Sequence, residues 1–256
     1  MSDPTPHRFT ATDGTGLVWH EAGAADGRPT ILIHGYVSNA QTNWIRYGHA
    51  AKVAALGRRV IMPDLRGHGQ SDKPHEAAAY PPDVLAADGF ALLDALGLVP
   101  DGGGYDLVGY SLGARTAVRI MAQGARPGRA VLAGMGLAGI LDTQGRGGYF
   151  RRVLSNPGSF ARGTSEWMTE AFVKTTKGDP QALIGILDTF VDTPRAALDA
   201  IDLPILVVAG EEDDDNGPAA DLADALPDAR FQAIPGNHMS AVMRPELCDA
   251  IVGFLG

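Results

Sequence analysis

The stretch YDLVGYSLG at residues 105–113 decides the fold. Residues 105–108 are predicted to form a strand, and a helical stretch follows from Leu112 to Gln123. The pattern G-x-S-x-G at Gly109–Gly113 places Ser111 on a sharp strand-to-helix turn, with its Oγ projecting out of the sheet. Glycines two residues before and after the serine leave room for a close backbone approach. Ser111 is therefore the candidate nucleophile.

The sequence on either side of this turn alternates short apolar runs with helical stretches. Asp13-Gly14, between two such runs, predicts an opening hairpin. Further strands are predicted at residues 30–33, 59–62, 130–133, 204–208 and 230–234, and helices at 39–56, 82–96, 112–123 and 239–255. Strands that are apolar throughout need cover on both faces. The pattern therefore predicts an α/β fold with a mostly parallel eight-stranded sheet and helices on both faces.

One segment, residues 135–202, interrupts this alternation. It contains helical patches and Gly- or Pro-containing breaks but no convincing strand. We predict that residues 1–134 and 203–256 form the core domain and that residues 135–202 form a small helical cap, inserted after the sixth strand. Ligands of parallel sheets bind at the carboxyl ends of the strands, and we expect the cap to lie over those ends.

Composition and charge exclude several classes of partner. The chain has 256 residues and a net charge of −9, which disfavours nucleic acid and anionic membrane surfaces. Its single cysteine, Cys248, permits no internal disulfide and fits a reducing compartment. Residues 1–9 lack the apolar stretch of a signal peptide and no apolar run is long enough to span a bilayer, so we expect a cytoplasmic location. No feature predicts an oligomeric state.

The turn at Ser111 and two loops before it resemble the α/β-hydrolase family, in its serine-nucleophile esterase and lactonase branch. HGY at residues 34–36 is similar to the family's His-Gly turn after the third strand. DLRGHGQS at residues 64–71 matches its D-x-R-G-x-G-x-S loop after the fourth strand, and GYSLG matches its nucleophile elbow. The resemblance covers nearly the whole chain and is weakest in residues 135–202. It implies a catalytic triad in the order nucleophile, acid, base.

The same resemblance assigns the base and the acid of the triad. His238 lies just after the last predicted strand, where the family has its base. The acid has to be chosen from the run EEDDD at residues 211–215, which is otherwise typical of a solvated loop. The family pattern G-x-x-D, counted from the end of the preceding strand, favours Asp213. Asp214 is the next choice, with Asp215 or Glu212 behind it.

Two main-chain N–H groups are expected to form an oxyanion hole. By resemblance they belong to Leu112, directly after the nucleophile, and to Tyr36 in the loop after the third strand. His34 and Gly35 precede the elbow in the chain and are expected to shape this loop, without a catalytic role for His34.

Several polar and apolar side chains near these motifs are interpreted as structural. Arg66 and His68 are expected to pack and orient the site, with Asp64 pairing locally with Arg66. Arg115, one turn into the helix after Ser111, is interpreted as a helix-surface charge. In the cap, Trp167, Met168 and Phe172 have helical spacing, which indicates plain packing or, alternatively, the wall of an apolar pocket.

A serine nucleophile points to carbonyl chemistry, because relatives that open epoxides or displace halide need a carboxylate in its place. We expect a carboxylesterase-like hydrolase that cleaves a small ester, thioester or lactone through an acyl-enzyme on Ser111. A C–C bond hydrolase and a cofactor-free perhydrolase would use the same triad, and a ligand-binding receptor on a hydrolase scaffold is the non-enzymatic alternative. No metal-ligand spacing and no phosphate-binding glycine loop is present in the sequence, so no cofactor is expected.

Overall fold

A computed structural model describes residues 4–143, 145 and 147–256 of the chain. Residues 1–3, part of the N-terminal stretch used for the expected location, lie outside the described residues. One eight-stranded sheet has the order β1-β2-β4-β3-β5-β6-β7-β8. Its strands are Thr5–Thr10 (β1), Gly16–Gly23 (β2), Pro29–Ile33 (β3), Arg59–Asp64 (β4), Asp106–Tyr110 (β5), Arg129–Ala133 (β6), Ile205–Gly210 (β7) and Ala229–Ile234 (β8).

The sheet is mostly parallel, which confirms the predicted fold class. Strands β1 and β2 pair antiparallel, β2 pairs antiparallel with β4, and every pair from β4 to β8 is parallel. The helices are His49–Ala54 (α1), Val84–Ala95 (α2), Leu112–Ala122 (α3), Leu137–Leu141 (α4), Gly147–Ser155 (α5), Ser165–Thr175 (α6), Pro180–Leu187 (α7), Arg195–Leu198 (α8), Ala219–Asp224 (α9), His238–Ala241 (α10) and Pro245–Leu255 (α11).

The central strands are mostly apolar because each face of the sheet is covered by a buried layer. In β5, Leu107 packs in the layer that contains residues of α2 and α3. Its neighbour Val108 points to the opposite face, into the layer that contains residues of α1 and α11. Alternate residues of a strand face opposite sides, so a strand between two such layers carries no polar face.

Two predicted helices are each divided into two in the structure. The stretch predicted at residues 39–56 forms a π-helical turn, Gln41–Ile45, and then α1. Gly48 separates them with a left-handed φ of 78°, which a continuous helix does not permit. The stretch predicted at 239–255 forms α10 and α11, because Pro245 lacks an N–H and is accommodated as the first residue of a new helix.

Residues 135–202, called the insert from here on, carry α4 to α8 between β6 and β7. No strand occurs among those insert residues that the structure describes. The Tyr36 hydroxyl donates to the Leu183 carbonyl at 2.6 Å. The rings of Tyr36 and Phe150 pack edge to face, with their centroids 4.8 Å apart. The insert therefore contacts the loop that follows β3, while its standing as a separate cap domain remains a prediction. Within the described part of the chain, no helix is both long and apolar enough to cross a membrane.

Candidate active site

Ser111 occupies the sharp turn between β5 and α3. Its φ of 54° and ψ of −113° lie outside the regions that non-glycine residues ordinarily adopt. The Ser111 N–H donates to the carbonyl of Ala133 at 2.8 Å, so the neighbouring strand holds the turn in this strained conformation. Strain of this kind persists where the surrounding structure determines it, and it occurs preferentially at functional sites.

Gly109 and Gly113 allow this turn to form because no side chain fits at either position. A Cβ on Gly109 would lie 2.3 Å from the main-chain carbonyl carbon and oxygen of Gly113. A Cβ on Gly113 would lie 2.1 Å from the carbonyl oxygen of Ile33 in β3. Both obstacles are backbone atoms, which cannot rotate away. The two glycines of the motif therefore let β5 and α3 approach each other and let α3 approach β3.

Substituting Gly113 with alanine is expected to destabilise the fold strongly. The new Cβ would force β3 and α3 apart, and the cost is expected at or above the upper end of the roughly 1–3 kcal/mol range of overpacked sites. Gly104→Ala is the matched control, because a Cβ there has open space within 4 Å. Urea unfolding of both variants checks the prediction, and equal stabilities would contradict it.

Ser111, His238 and Asp213 form a continuous hydrogen-bonded chain. The Nε2 atom of His238 lies 2.9 Å from Ser111 Oγ, and its Nδ1 lies 2.9 Å and 3.1 Å from the two carboxylate oxygens of Asp213. The Asp213 side chain is only 3% exposed. Asp215 Oδ2 lies further away, 3.9 Å from His238 Nδ1, and its side chain is 35% exposed. Within the acidic run, Asp213 is thus the carboxylate placed to orient the imidazole.

The backbone on both sides of His238 is fixed by hydrogen bonds. The Tyr110 hydroxyl donates to the His238 carbonyl at 2.7 Å. Burial raises the pKa of Tyr110 well above its ordinary range, which keeps this donor protonated. Asn237 caps α10 by accepting from the Met239 and Ser240 N–H groups, and the Ser240 hydroxyl accepts from the Asn237 N–H at 2.9 Å. This capping box holds the start of α10 and with it the imidazole.

The loop after β3 lies beside the candidate nucleophile because β3 and β5 are neighbours. Ile33 is paired with Gly109, so the residues that follow each strand emerge at the same edge of the sheet. Leu112 is the first residue of α3, so its N–H has no partner in the helical ladder. Tyr36 and Leu112 both line the cavity that contains Ser111. This placement fits the oxyanion-hole prediction for their N–H groups.

His34 is fully buried and held as a neutral imidazole below this loop. Its Nε2 accepts from the Leu65 N–H at 3.0 Å, so its Nδ1 carries the proton and donates to the Gly35 carbonyl at 2.8 Å. Burial lowers the pKa of His34. The Gly35 N–H in turn donates to Asn43 Oδ1 at 3.0 Å. His34 and Gly35 thus fix the shape of the loop, in line with the role expected for them.

The expected pairing of Asp64 with Arg66 was wrong. The Asp64 carboxylate contacts His20 Nε2 at 3.2 Å and accepts from the N–H of Gln70 at 2.8 Å, because the loop folds back over it. Arg66 instead binds Asp88 of α2 through two bonds of 2.9 Å and 2.7 Å. Two guanidinium nitrogens of Arg66 each donate to one carboxylate oxygen of Asp88. Asp64, two residues from Arg66, is not placed to accept such a paired hydrogen bond.

His68, also in this loop, should make the stability of the protein depend on pH. Burial lowers its pKa from 6.5 to about 3, so between these values the unfolded chain binds a proton that the folded protein does not. Stability therefore falls as the pH drops through this window. His68→Gln is expected to flatten that slope by up to about 1.4 kcal/mol per pH unit. Urea unfolding at several pH values measures the slope, with the exposed His7→Gln as control. An unchanged slope in His68→Gln would contradict this assignment.

A cavity of about 610 Å³ opens at Ser111 and His238, between the strand ends and the insert. Its wall is largely aromatic and apolar, and includes Tyr36, Tyr149, Phe150, Met168, Phe172, Leu187 and Phe190. Met168 and Phe172 are thus pocket residues, whereas Trp167 lies near the guanidinium of Arg162. The volume suits a small or medium ligand.

Arg115 also lines this cavity, so its interpretation as a helix-surface charge was wrong. The insert covers this part of α3, and the position of the insert was not readable from the local sequence. The place of Arg115, one turn into the helix that Ser111 precedes, was a usable signal, because it keeps the residue close to the turn at Ser111.

Three atoms of the kinds that bind metal ions lie within 4.8 Å of one another in this site. They belong to Asp213, Asp215 and His238. No local spacing in the sequence predicted such a group, because the histidine comes from a distant element. Asp213 and His238 are bonded to each other, and His238 also to Ser111. The hydrogen-bonded chain accounts for this cluster of ligand atoms, and a metal there would compete with it.

Comparison with known proteins places the chain among hydrolases. A model of the alpha/beta hydrolase family matches residues 30–250. A non-heme chloroperoxidase from Streptomyces lividans is 36% identical over 120 residues, 47% of this chain and 40% of that protein. An epoxide hydrolase from Caballeronia sordidicola is 40% identical over 86 residues, 34% of this chain and 25% of that protein. The matched segments span less than half of the length of these two relatives.

The fold is also shared with solved structures. The crystal structure of the enol-lactonase from Burkholderia xenovorans LB400 superposes with a TM-score of 0.73, covering 97% of this chain and 99% of that one. The two sequences are 21% identical, so this likeness shows the fold alone.

Proposed function

Because the chain belongs to the alpha/beta hydrolase family, we propose that it is a serine hydrolase that cleaves a small ester, thioester or lactone through an acyl-enzyme on Ser111. The observation that carries the proposal is the unbroken chain from Ser111 Oγ through His238 to Asp213, with bonds of 2.9 Å on both sides of the imidazole. A serine hydroxyl is a weak nucleophile until a base takes its proton, and this geometry supplies the base.

In the first half of the proposed reaction, Ser111 Oγ bonds to the substrate carbonyl carbon while His238 Nε2 takes the hydroxyl proton. The Leu112 and Tyr36 N–H groups receive the developing oxyanion. The tetrahedral intermediate then collapses, and the alcohol or thiol leaves with the proton from His238. Asp213 holds the imidazole in the required tautomer and stabilises the imidazolium.

In the second half, His238 takes a proton from water as the water oxygen bonds to the acyl carbon. Collapse of this second intermediate releases the carboxylic acid and returns the proton to Ser111. A lactone follows the same steps, with the alcohol remaining attached to the product.

Hydrolysis of p-nitrophenyl acetate, butyrate and octanoate tests the proposal, with Ser111→Ala as the blank. We expect turnover of these esters by the wild-type protein, because a cavity of about 610 Å³ has room for a small or medium substrate. A folded wild-type protein that turns over none of these esters and no lactone would contradict the proposal. That outcome would favour C–C bond hydrolysis or ligand binding without turnover.

Perhydrolysis is the second candidate, favoured by the partial match to a chloroperoxidase. Hydrogen peroxide would replace water in the second half of the reaction and release a peracid from the same acyl-enzyme. Peracid formation from acetate or an acetate ester, measured with and without hydrogen peroxide, separates the two reactions. Epoxide opening is disfavoured in spite of the matched epoxide hydrolase, because Ser111 stands where that chemistry needs a carboxylate.

A further inference from the structure

Arg115 lies one turn into α3, four residues after the candidate nucleophile. Its N–H donates to the Ser111 carbonyl at 3.0 Å, as residues four apart in a helix do. Arg115, Ser111 and His238 line the same cavity. A substrate bound at Ser111 therefore has a guanidinium within reach of a group a few bonds from its carbonyl.

The Arg115 side chain is held in place by the insert. Its Nε donates to the Gly139 carbonyl of α4 at 3.0 Å, and its guanidinium lies 4.6 Å from the ring centroid of Phe190. The carbonyl and the aromatic face fix the plane of the guanidinium and offset part of the cost of burying a charge. A guanidinium fixed in one plane loses little conformational entropy when it binds the two oxygens of a carboxylate.

The charges around the cavity favour one negative group at Arg115. Arg115 is the only arginine or lysine among the described residues of the wall, whereas Glu212 and Asp215 line the cavity with His238. A polyanion would meet these two carboxylates. A ligand with a single carboxylate at Arg115 keeps its neutral carbonyl end beside them, so a carboxylate fits better than a phosphate.

Asp192 is an acid close enough to Arg115 for the guanidinium charge to help lower its pKa. Its Oδ1 accepts from the main-chain N–H and the hydroxyl of Thr143, at 2.8 Å and 2.7 Å. These two bonds are the main cause of its lowered pKa, and Arg115 contributes less. Asp192 is therefore bound chiefly to Thr143.

We propose that Arg115 is a specificity-determining residue that binds a carboxylate of the substrate. The substrate class is then an ester or lactone with one carboxylate a few bonds from the reacting carbonyl, such as a monoester of a short dicarboxylic acid. This inference rests on the proposed ester chemistry at Ser111 and names the substrate class of the same site.

The test compares two substrates of equal size that differ in charge. Monoethyl glutarate carries a carboxylate, and ethyl glutaramate carries a neutral amide in its place. The ratio of their kcat/KM values is measured for the wild-type protein, Arg115→Gln and Arg115→Lys. Arg119→Gln is the matched control, because Arg119 lies one turn further along α3 and binds Asp83 at 3.0 Å.

We expect the wild-type protein to prefer the monoester, and Arg115→Gln to lower the charged-to-neutral ratio about 10- to 100-fold, as the loss of a charge-assisted hydrogen bond does. Arg115→Lys should keep part of the preference, and Arg119→Gln should keep all of it. An unchanged ratio in Arg115→Gln, with both substrates hydrolysed, would overturn the role of Arg115 alone. No hydrolysis of either substrate, nor of the p-nitrophenyl esters, would instead count against the ester chemistry.

A binding measurement separates the role of Arg115 from the ester chemistry at Ser111. Monoethyl glutarate, which carries a single carboxylate, should bind to Ser111→Ala, which has an intact wall, and its affinity should fall about 10- to 100-fold in Ser111→Ala/Arg115→Gln. This titration needs no turnover, so it reports on Arg115 even if the chemistry at Ser111 is different. Equal affinity for monoethyl glutarate in the two variants would overturn the proposed carboxylate site.

Discussion

Replacing Ser111 with alanine is expected to lower kcat for ester hydrolysis by roughly 10⁵- to 10⁶-fold, the size of loss seen when a triad nucleophile is removed from a serine hydrolase. The change removes one oxygen atom and with it the acyl-enzyme. The cavity wall, the imidazole and the main-chain N–H groups stay in place, so substrate binding should change little. Residual hydrolysis above the uncatalysed rate would come from binding and the oxyanion hole alone.

Two observations make this result specific to the nucleophile. Brief reaction with p-nitrophenyl butyrate should add one butyryl group to the peptide that carries Ser111, detectable by mass spectrometry in the wild-type protein and absent in Ser111→Ala. Ser165→Ala is the matched control, because Ser165 lines the same cavity but bonds to Glu166. A loss below about tenfold in Ser111→Ala, or acylation at another residue, would contradict the role assigned to Ser111.

Much of the site is predictable from the sequence because its parts are local. The turn at Ser111 needs glycines at two fixed positions, and both clashes that enforce them involve backbone atoms of the turn itself or of the adjacent strand. The place of His238 after the last strand follows from chain order, since parallel strands deliver their carboxyl ends to one edge of the sheet. A local motif and the order of the strands can both be identified without knowing which distant side chains pack together.

The parts that sequence reasoning missed depend on contacts between distant segments. Arg66 binds Asp88 of α2, and the sequence near either residue does not specify the pairing. Arg115 lines the cavity because the insert covers this part of α3. Its contacts with Gly139 and Phe190 are tertiary contacts, which the sequence around Arg115 does not specify. Substrate specificity is therefore harder to predict from this sequence than the candidate chemistry, since Ser111 sits on a fixed turn whereas the insert forms much of the pocket.

Asp213→Asn is expected to lower kcat about 10⁴-fold with little change in the fold, as the same change does in other triads. An asparagine amide can donate to His238 Nδ1, which would leave the proton on Nε2, the atom that must accept from Ser111. The loss should therefore far exceed the effect of a missing charge. Kinetics on one p-nitrophenyl ester measures it, and thermal unfolding checks the fold.

The acidic run supplies the matched controls, because three of its aspartates differ in their distance from the imidazole. Asp215 Oδ2 lies 3.9 Å from Nδ1 and is partly solvated, so Asp215→Asn should cost less than about tenfold through a screened charge effect. Asp214 is exposed, and Asp214→Asn should be close to neutral. Equal small losses in all three variants would show that the run acts as a diffuse negative charge. A large loss confined to Asp213→Asn would show that the carboxylate acts by fixing one tautomer, and burial beside the imidazole explains why only one of the three can do so.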